Sequence, residues 1–152
     1  MTGVQTCALP ICQQNGLAAN GSQDILTPAG DGVANLLKFA FNMVGTGTGQ
    51  ATTLSSPNAS IVGAAGFAGL PRVGMNGVGK LSVTYIRRKA ASNPGIGYDV
   101  ELSNSMASGS WAKNPLATEV VVQAGGDFER VTLTDSLQST WRRFARVSVS
   151  AN

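Results

Sequence analysis

The sequence predicts a mainly β protein: a small antiparallel β-sandwich of about six strands, preceded by one short α-helix and a flexible linker. The first observation is a period-two alternation of apolar and polar residues, which begins near residue 67 and continues to the end of the chain. The second is that glycine-rich turns separate neighbouring strands, as they do in β-hairpins. The third is that no helical pattern interrupts the strands, which disfavours a parallel sheet.

The composition argues against several classes of function. The 152 residues are enough for one domain, and 12% of them are charged, about half the usual share of a globular protein. The chain has no histidine, so it lacks the commonest general base and the commonest metal ligand. A net charge of +3 is too small to indicate nucleic-acid binding, and no apolar run approaches the roughly 20 residues of a transmembrane helix. We expect no nucleic-acid partner, no transmembrane segment and no cofactor.

Residues 1–12, MTGVQTCALPIC, hold both cysteines, Cys7 and Cys12. Their spacing is not that of a Cys-x-x-Cys redox centre, zinc would need further ligands, and the stretch lacks the basic and apolar regions of a signal peptide. Residues 1–11 instead resemble the in-frame translation of a common sequencing-adapter oligonucleotide. We therefore expect residues 1–12 to be a disordered adapter-derived remnant, and the chain to be an N-terminally truncated fragment without disulfide or thiol chemistry.

A loop, a helix and a linker are predicted before the strands. Residues 13–30 are polar and turn-rich, which predicts a loop. In residues 31–45 apolar residues recur at steps of three and four, which predicts an amphipathic helix with an N-cap at Asp31 and a stop at Gly45. The small residues of 46–66 predict a flexible linker, which leads to a β-sandwich at 67–152.

The predicted strands follow from hairpin and alternation patterns. LPRVGM and KLSVTYIRRK flank the turn NGVG, and ATEVVVQ and FERVTLTD flank AGGD, so each pair predicts a hairpin. Two further stretches, YDVELS and WRRFARVSVS, alternate strictly and predict half-buried strands. Their predicted inward residues are Tyr98, Val100 and Leu102 in the first, and Ala145, Val147 and Val149 in the second.

The helix and the strands together resemble a C-terminal module of large secreted or surface proteins of environmental bacteria. In those modules an EF-hand-like or dockerin-like segment, D-x-D-G-D-G-x-x-N-L-L-E-Y-A-L-G, precedes a small β domain. That domain has a Y-x-V-E-x-S strand, then a tryptophan, and a final R-R-F-x-R-x-x-V. The resemblance covers residues 31–44 and about 70–150, and the matching positions of the β domain are Tyr98, Val100, Glu101, Ser103, Trp111, Arg142, Arg143, Phe144, Arg146 and Val149.

The calcium loop of that family is degenerate in this chain. Such a loop supplies oxygen ligands from positions 1, 3, 5, 7 and 9, and a bidentate carboxylate from position 12. With Gly32 at position 6, Asp31 and Asn35 retain positions 5 and 9. Positions 1, 3 and 12 are Thr27, Ala29 and Lys38, so two carboxylates are lost and an ammonium group replaces the bidentate ligand. We expect neither calcium nor any other metal to bind.

Basic and aromatic residues give two further candidate sites. The clusters at 87–89 and 142–146 could bind a polyanion, but neighbouring residues on a strand point to opposite faces. Pairing of these arginines with carboxylates on adjacent strands is therefore favoured. Trp111 and Trp141 are candidate carbohydrate contacts, because an exposed indole can stack on a sugar ring.

A catalytic pair of carboxylates is the weakest candidate. Asp127, Glu129 and Asp135 lie close in sequence, and paired carboxylates can hydrolyse glycosides. Here they are predicted to lie on a turn and on the solvent face of one hairpin, where acids normally serve solubility. We expect no catalytic residue and no enzymatic activity.

The expected function is that of a non-catalytic C-terminal accessory module: a spacer, attachment or stability domain of a larger secreted or cell-surface bacterial protein. Its expected partners are the upstream domains of that protein, with a polysaccharide or the cell envelope as further candidates. The signal peptide is expected upstream of this fragment. The alternative is a carbohydrate-binding β-sandwich that uses exposed aromatic side chains.

Overall fold

The computed structural model describes residues 22–23, 25–27, 32–43, 69–92, 95–138 and 142–151. These residues form one α-helix and six antiparallel strands in two sheets, which confirms the predicted fold class. The helix α1 is Asn35–Ala40, and a 3-10 turn occupies Ala90–Ser92. The strands are β1 (Arg72–Met75), β2 (Lys80–Arg88), β3 (Ile96–Ser103), β4 (Thr118–Gly125), β5 (Phe128–Gln138) and β6 (Phe144–Ala151).

The strands divide into a four-stranded and a two-stranded sheet. The larger sheet has the order β1-β2-β5-β4, and the smaller one pairs β3 with β6. Both predicted hairpins are confirmed, because β1 pairs with β2 and β4 pairs with β5. The pairing of β2 with β5 joins the two hairpins into one sheet. The core therefore lies between the β2–β5 pair and the smaller sheet.

Local chemistry explains the first hairpin turn. The side-chain oxygen of Asn76 accepts hydrogen bonds from the backbone N–H groups of Val78 and Lys80, at 3.1 and 2.9 Å. Gly79 has a φ of 73°, a left-handed conformation that glycine adopts without steric cost. The predicted glycine-rich turn thus sets the register of β1 against β2.

The predicted alternation in β3 and β6 is also confirmed. Directly opposite residues of an antiparallel pair point to the same face, so the register identifies the inward side chains of this sheet. The inward pairs are Tyr98 with Val149, Val100 with Val147, and Leu102 with Ala145, and all of them belong to the core or pack against it.

The helix is shorter than predicted. It begins at Asn35, and its N-cap is Ala34, which makes no side-chain capping bond, so the predicted N-cap at Asp31 is wrong. Asp31 itself lies outside the described residues. The backbone carbonyl of Leu26 instead accepts a hydrogen bond of 3.0 Å from the Asn35 N–H. A more distant part of the chain therefore satisfies a donor that a helix leaves unpaired at its N-terminus.

Asn42 ends the helix, so the predicted stop at Gly45 is also wrong. Asn42 has a φ of 56°, and the N–H of the next residue, Met43, donates to the carbonyl of Lys38 at 2.7 Å. A left-handed residue just after the helix, bridged by this hydrogen bond, is a Schellman motif. Asparagine can occupy that position because its short polar side chain tolerates the left-handed region.

The end of the helix enters the sandwich core. Phe41 is 1% exposed and belongs to the same buried cluster as Val33, Met43 and Tyr85. Its ring centroid lies 6.4 Å from that of Tyr85 on β2 and 6.2 Å from that of Tyr98 on β3, and the two tyrosine rings stack at 6.1 Å. Three aromatic rings, one from the residue that follows the helix and one from each sheet, therefore meet in the core.

The Tyr98 hydroxyl connects the same three layers by hydrogen bonds. It donates to the carbonyl of Ala40, at the end of the helix, at 2.8 Å. It accepts from the backbone N–H of Arg88, at the end of β2, at 3.3 Å. One side chain of the smaller sheet thus holds both the helix and the larger sheet.

We predict that Asn42→Ala is less stable to unfolding than Asn42→Gly by about 1 kcal/mol, because only alanine has a Cβ that opposes the left-handed conformation. Both variants remove the asparagine side chain, so their difference isolates the backbone effect. Urea unfolding followed by circular dichroism measures it. Equal stability of the two variants would contradict the left-handed helix end.

We predict that both tyrosines ionise only when the protein unfolds. Burial raises the pKa of Tyr98, and burial raises the pKa of Tyr85 to about 12. An unfolded tyrosine has a pKa of about 10, so the stability that the neutral rings contribute is intact below pH ~10 and is lost as the pH rises towards ~12. Tyrosinate absorbance should therefore appear together with the loss of circular dichroism. Tyrosinate formation near pH 10 in the folded protein would contradict this account.

Candidate functional site

Trp111 lies in the connection between β3 and β4. The next residue, Ala112, exchanges two backbone hydrogen bonds with Leu102, of 2.8 and 3.1 Å, and so pairs with the free edge of β3. This pairing holds the indole against the smaller sheet, where the guanidinium carbon of Arg146 lies 4.7 Å from the ring centroid. Because Arg146 alternates with the inward residues of β6, Trp111 lies on the outer face of that sheet.

A serine network orders the loop that leads to Trp111. The hydroxyls of Ser103 and Ser110 lie 2.7 Å apart, and the Ser105 N–H donates to the Ser103 oxygen at 3.0 Å. The Ser110 hydroxyl also reaches the Ala107 carbonyl at 2.7 Å. Ser103 is consequently buried, although its place in the alternation of β3 is on the outer face.

The charged groups around Trp111 neutralise one another. Arg146 contacts Glu101 on the neighbouring strand at 2.7 Å, and Lys113 contacts Asp99 at 2.5 Å. The predicted pairing of Arg146 with a carboxylate of an adjacent strand is therefore confirmed. One ring face of Trp111 is in contact with Arg146, so the opposite face is the one that can stack on a ligand.

Trp141, the second predicted carbohydrate contact, lies outside the described residues. The described part of the candidate surface consists of Trp111 and the polar side chains around it on β3 and β6.

The degenerate calcium segment is partly described. The side-chain amide of Asn35 donates to the carbonyl of Gln23 at 2.8 Å, so this residue tethers the preceding chain to the helix. Lys38, one turn further along, is 0% exposed. Its burial places a cation within this part of the fold. Among the described residues there is no group of three or more histidine, cysteine, aspartate or glutamate side chains that could hold a metal.

Glu129 and Asp135 of the second hairpin do not converge. Glu129 binds Arg87 at 2.6 Å, Asp127 lies in the exposed turn, and Asp135 is six residues from Glu129 along β5. At roughly 3.4 Å per residue, Glu129 and Asp135 are about 20 Å apart. The carboxylate pair of a glycosidase is separated by less than about 10 Å, so these residues do not form such a pair.

The predicted placement on the solvent face is wrong for Glu129, which lies on the inner face with a side chain only 14% exposed, and for Asp135. The Asp135 side chain is fully buried, and its two oxygens accept hydrogen bonds of 2.6 Å from Arg143 Nε and 2.6 Å from Asn114 Nδ2. Arg143 extends the network to the Asn104 side chain at 3.0 Å. A buried ion pair thus joins the end of β5, the start of β6 and the β3–β4 connection.

The sequence did contain a signal for this burial. Val131, Leu133 and Asp135 are two residues apart on β5, so strict alternation places the aspartate on the apolar face. Burial alone would raise the pKa of Asp135, but the hydrogen bonds from Arg143, Asn114 and the Leu137 N–H outweigh it and hold that pKa below its usual value. The carboxylate is therefore ionised and serves as a structural acceptor.

Ion pairs and hydrogen bonds within the fold also involve the first basic cluster, residues 87–89. Arg87 binds Glu129 at 2.6 Å and Glu119 at 3.0 Å, so it bridges β5 and β4 on the inner face of the larger sheet. Arg88 points to the opposite face, as the prediction of split clusters requires. The ammonium group of Lys89 donates to the backbone carbonyl of Gly126 at 2.8 Å.

Two open clefts adjoin these networks. One, of about 550 Å³, is lined by polar groups of the β3–β4 connection and by Arg143. The other, of about 470 Å³, lies beside Tyr85, Arg87 and Glu119. Lys113, Asn114 and Pro115 form a wall shared by both clefts.

Comparisons with known proteins add no relatives. No family model, no curated protein sequence and no solved structure matches this chain. In the part of the chain that the structure describes, no helix is both long enough and apolar enough to cross a membrane.

We predict that Asp135→Asn destabilises the fold by about 3–5 kcal/mol, because it leaves the largely buried Arg143 without its counter-charge. The matched control is Glu101→Gln, which breaks the more exposed pair with Arg146 and should cost less than about 1 kcal/mol. Urea unfolding measures both variants, and equal losses would contradict the structural role of Asp135.

The same pair should give an acid-dependent stability. The pKa of Asp135 is lowered in the folded state, so the ionised carboxylate adds to the free energy of unfolding. This contribution is intact above a pH of about 4, the pKa of an aspartate in the unfolded chain, and is lost as the pH falls below it. Asp135→Asn should lack this component of the pH dependence, measured as the difference in unfolding free energy between neutral and acidic pH.

Proposed function

We propose that this chain is a non-catalytic accessory module, a spacer, attachment or stability domain, of a larger secreted or cell-surface bacterial protein. The observation that carries the proposal is the use of its charged groups. Five of the described carboxylates contact a cation of another element or of the adjoining connection, where they stabilise the fold. They are Asp99, Glu101, Glu119, Glu129 and Asp135.

Ion pairs adjoin both of the clefts described above. Glu119 and Arg87 line the smaller cleft together, and Arg143 of the larger cleft binds the buried Asp135. A general acid or base must be free to exchange a proton with a substrate. Carboxylates that are paired with arginines of the fold suit a structural role better than proton transfer.

The surface chemistry supports a location outside the cell. The low share of charged residues and the abundance of hydroxyl and amide side chains are common in secreted and surface β proteins. The resemblance of the Y-x-V-E-x-S and R-R-F-x-R segments to C-terminal modules of such proteins also supports a location outside the cell. The upstream domains of the parent protein are the proposed partners.

Genomic DNA upstream of the codon for Gln13 tests this proposal. We expect the reading frame to continue upstream into further domains and to begin with a signal peptide. An in-frame stop codon immediately upstream, followed by a start codon at the beginning of the helix segment, would contradict it.

A carbohydrate-binding module is the second candidate, favoured by the position of Trp111. Its indole lies on an outer sheet face in contact with Arg146, which is paired with Glu101, so hydrogen-bond donors and acceptors adjoin an aromatic ring. Sugar binding uses this combination of a stacking surface and polar groups. Only one ring face of Trp111 can stack on a sugar ring, because Arg146 contacts the other face.

A glycan-binding screen with the wild type and Trp111→Ala separates the two candidates. The second candidate predicts binding to at least one polysaccharide and its loss in Trp111→Ala. Trp111→Phe is the matched control, since it keeps an aromatic face. An absence of binding to every polysaccharide would remove this candidate and leave the first.

A further inference from the structure

The edge strand β4 of the larger sheet exposes a row of apolar side chains. It pairs with β5 on one side, and no strand in the described part of the chain pairs with its other side. Its three consecutive valines, Val120, Val121 and Val122, are 55%, 40% and 38% exposed. An edge strand presents unpaired backbone N–H and C=O groups, so a long apolar one is a site for pairing with a further strand.

The hydrophobic core ends one strand short of this edge. Val131 on β5 is fully buried, whereas Val121, directly opposite it on β4, is exposed. Directly opposite residues of an antiparallel pair share a face, so both valines lie on the inner face of the larger sheet. The smaller sheet therefore covers β5 and leaves the inner side of β4 open. The outer side of β4 is open as well, because Val120 and Val122 alternate with Val121 and are exposed there.

Residues 118–122 of β4 lack the features that usually protect an edge strand. Proline, lysine and β-bulges prevent pairing at such edges, and this stretch contains none of them. Its one charged residue, Glu119, is bound by Arg87 at 3.0 Å. A register shift at Gln123 to Gly125 lies beyond the valines, so it limits the length of a new strand pair without preventing one. The opposite edge strand, β1, is only four residues long, and such short edges pair poorly.

The sequence of this edge is complementary to itself. Residues 119–123 are E-V-V-V-Q, a near palindrome about Val121. Antiparallel pairing of two copies about a two-fold axis at Val121 places that valine opposite itself, and Val120 opposite Val122. Glu119 then lies opposite Gln123, a residue type of similar shape without charge, so no like charges face each other. Every valine keeps the face that it has in the single chain, because directly opposite residues share a face.

We propose that β4 pairs with β4 of a second copy of this chain, in the antiparallel register centred on Val121. The product is a two-fold dimer with one continuous eight-stranded sheet. This contact occupies the β4 edge of both copies, so assembly through β4 stops at the dimer. A single strand pair buries less than the roughly 1,200 Å² of a stable interface, so we expect a weak dimer with a Kd on the order of 100 µM. The dimer does not depend on the proposed function.

Analytical ultracentrifugation of the full chain, from about 10 µM to about 1 mM, brackets this Kd and tests the dimer. A reducing agent is present throughout, because Cys7 and Cys12 can otherwise cross-link two copies. The weight-average mass should rise with concentration from that of the monomer towards that of the dimer, and no further. A wild type that stays monomeric at the highest concentration would overturn the proposal and leave the edge to a strand of another protein. Growth beyond the dimer would also overturn it.

Charge substitutions at the two-fold axis test the register. Val121→Lys and Val121→Glu each place two like charges opposite each other, so each variant alone should dimerise at least about tenfold more weakly than the wild type. An equimolar mixture of the two variants should form a heterodimer, because a lysine then faces a glutamate. Circular dichroism checks that each variant is folded. If either is not, Val120→Lys mixed with Val122→Glu gives the same test, because these two positions face each other across the axis.

The matched controls are Val78→Lys and Val78→Glu. Val78 is an exposed valine in the turn between β1 and β2, away from the β4 edge, so both variants should dimerise like the wild type. Weakened dimers of the Val121 variants, restored in their mixture and intact in the controls, support the strand pair. Dimerisation that the Val121 substitutions leave unchanged, an equal loss in the Val78 variants, or a mixture of folded variants that forms no heterodimer would each overturn the proposal.

Discussion

The Tyr98 hydroxyl is the contact on which the arrangement of the three layers depends. Its ring stacks on Tyr85 of the larger sheet and contacts Phe41 after the helix, while its oxygen bonds to the Ala40 carbonyl and the Arg88 N–H. A small two-stranded sheet buries too little surface to hold a helix by packing alone. The hydrogen bonds at Tyr98 add direction to the apolar contacts, since they satisfy a carbonyl at the helix end and an amide at the end of β2. The helix is therefore an integral part of the sandwich core.

Charge pairs connect elements of the fold that are distant in sequence. Arg87 joins β2 to Glu119 and Glu129 at one place, and Asp135 with Arg143 joins β5 to β6 at another. These contacts explain why a chain with few charged residues has most of its described carboxylates in ion pairs. On the smaller sheet, Trp111 lies outside these networks, in contact with Arg146.

Local patterns were sufficient to predict the strands, whereas long-range contacts decided the features that were missed. The hairpins follow from NGVG and AGGD, because turn geometry is encoded within a few residues. The helix was predicted too long because Val33 and Phe41 continue its apolar spacing, although they reach the core from outside the helix. Asp135 is buried only because Arg143 and Asn114, distant in sequence, supply its partners. The outer position of Trp111 depends likewise on the pairing of Ala112 with Leu102.

Amide hydrogen exchange in Tyr98→Phe, compared with the wild type, tests the role of Tyr98 most directly. The variant keeps the ring and removes only the oxygen. We predict that exchange accelerates at the Arg88 amide, which loses its acceptor, and at the helix amides of Lys38 and Phe41. The ratio of the exchange rates of the β4 amides to those of the β5 amides should stay as it is in the wild type. Unchanged protection of the Arg88, Lys38 and Phe41 amides would contradict the account, because the helix and β2 would then be held without the Tyr98 hydroxyl.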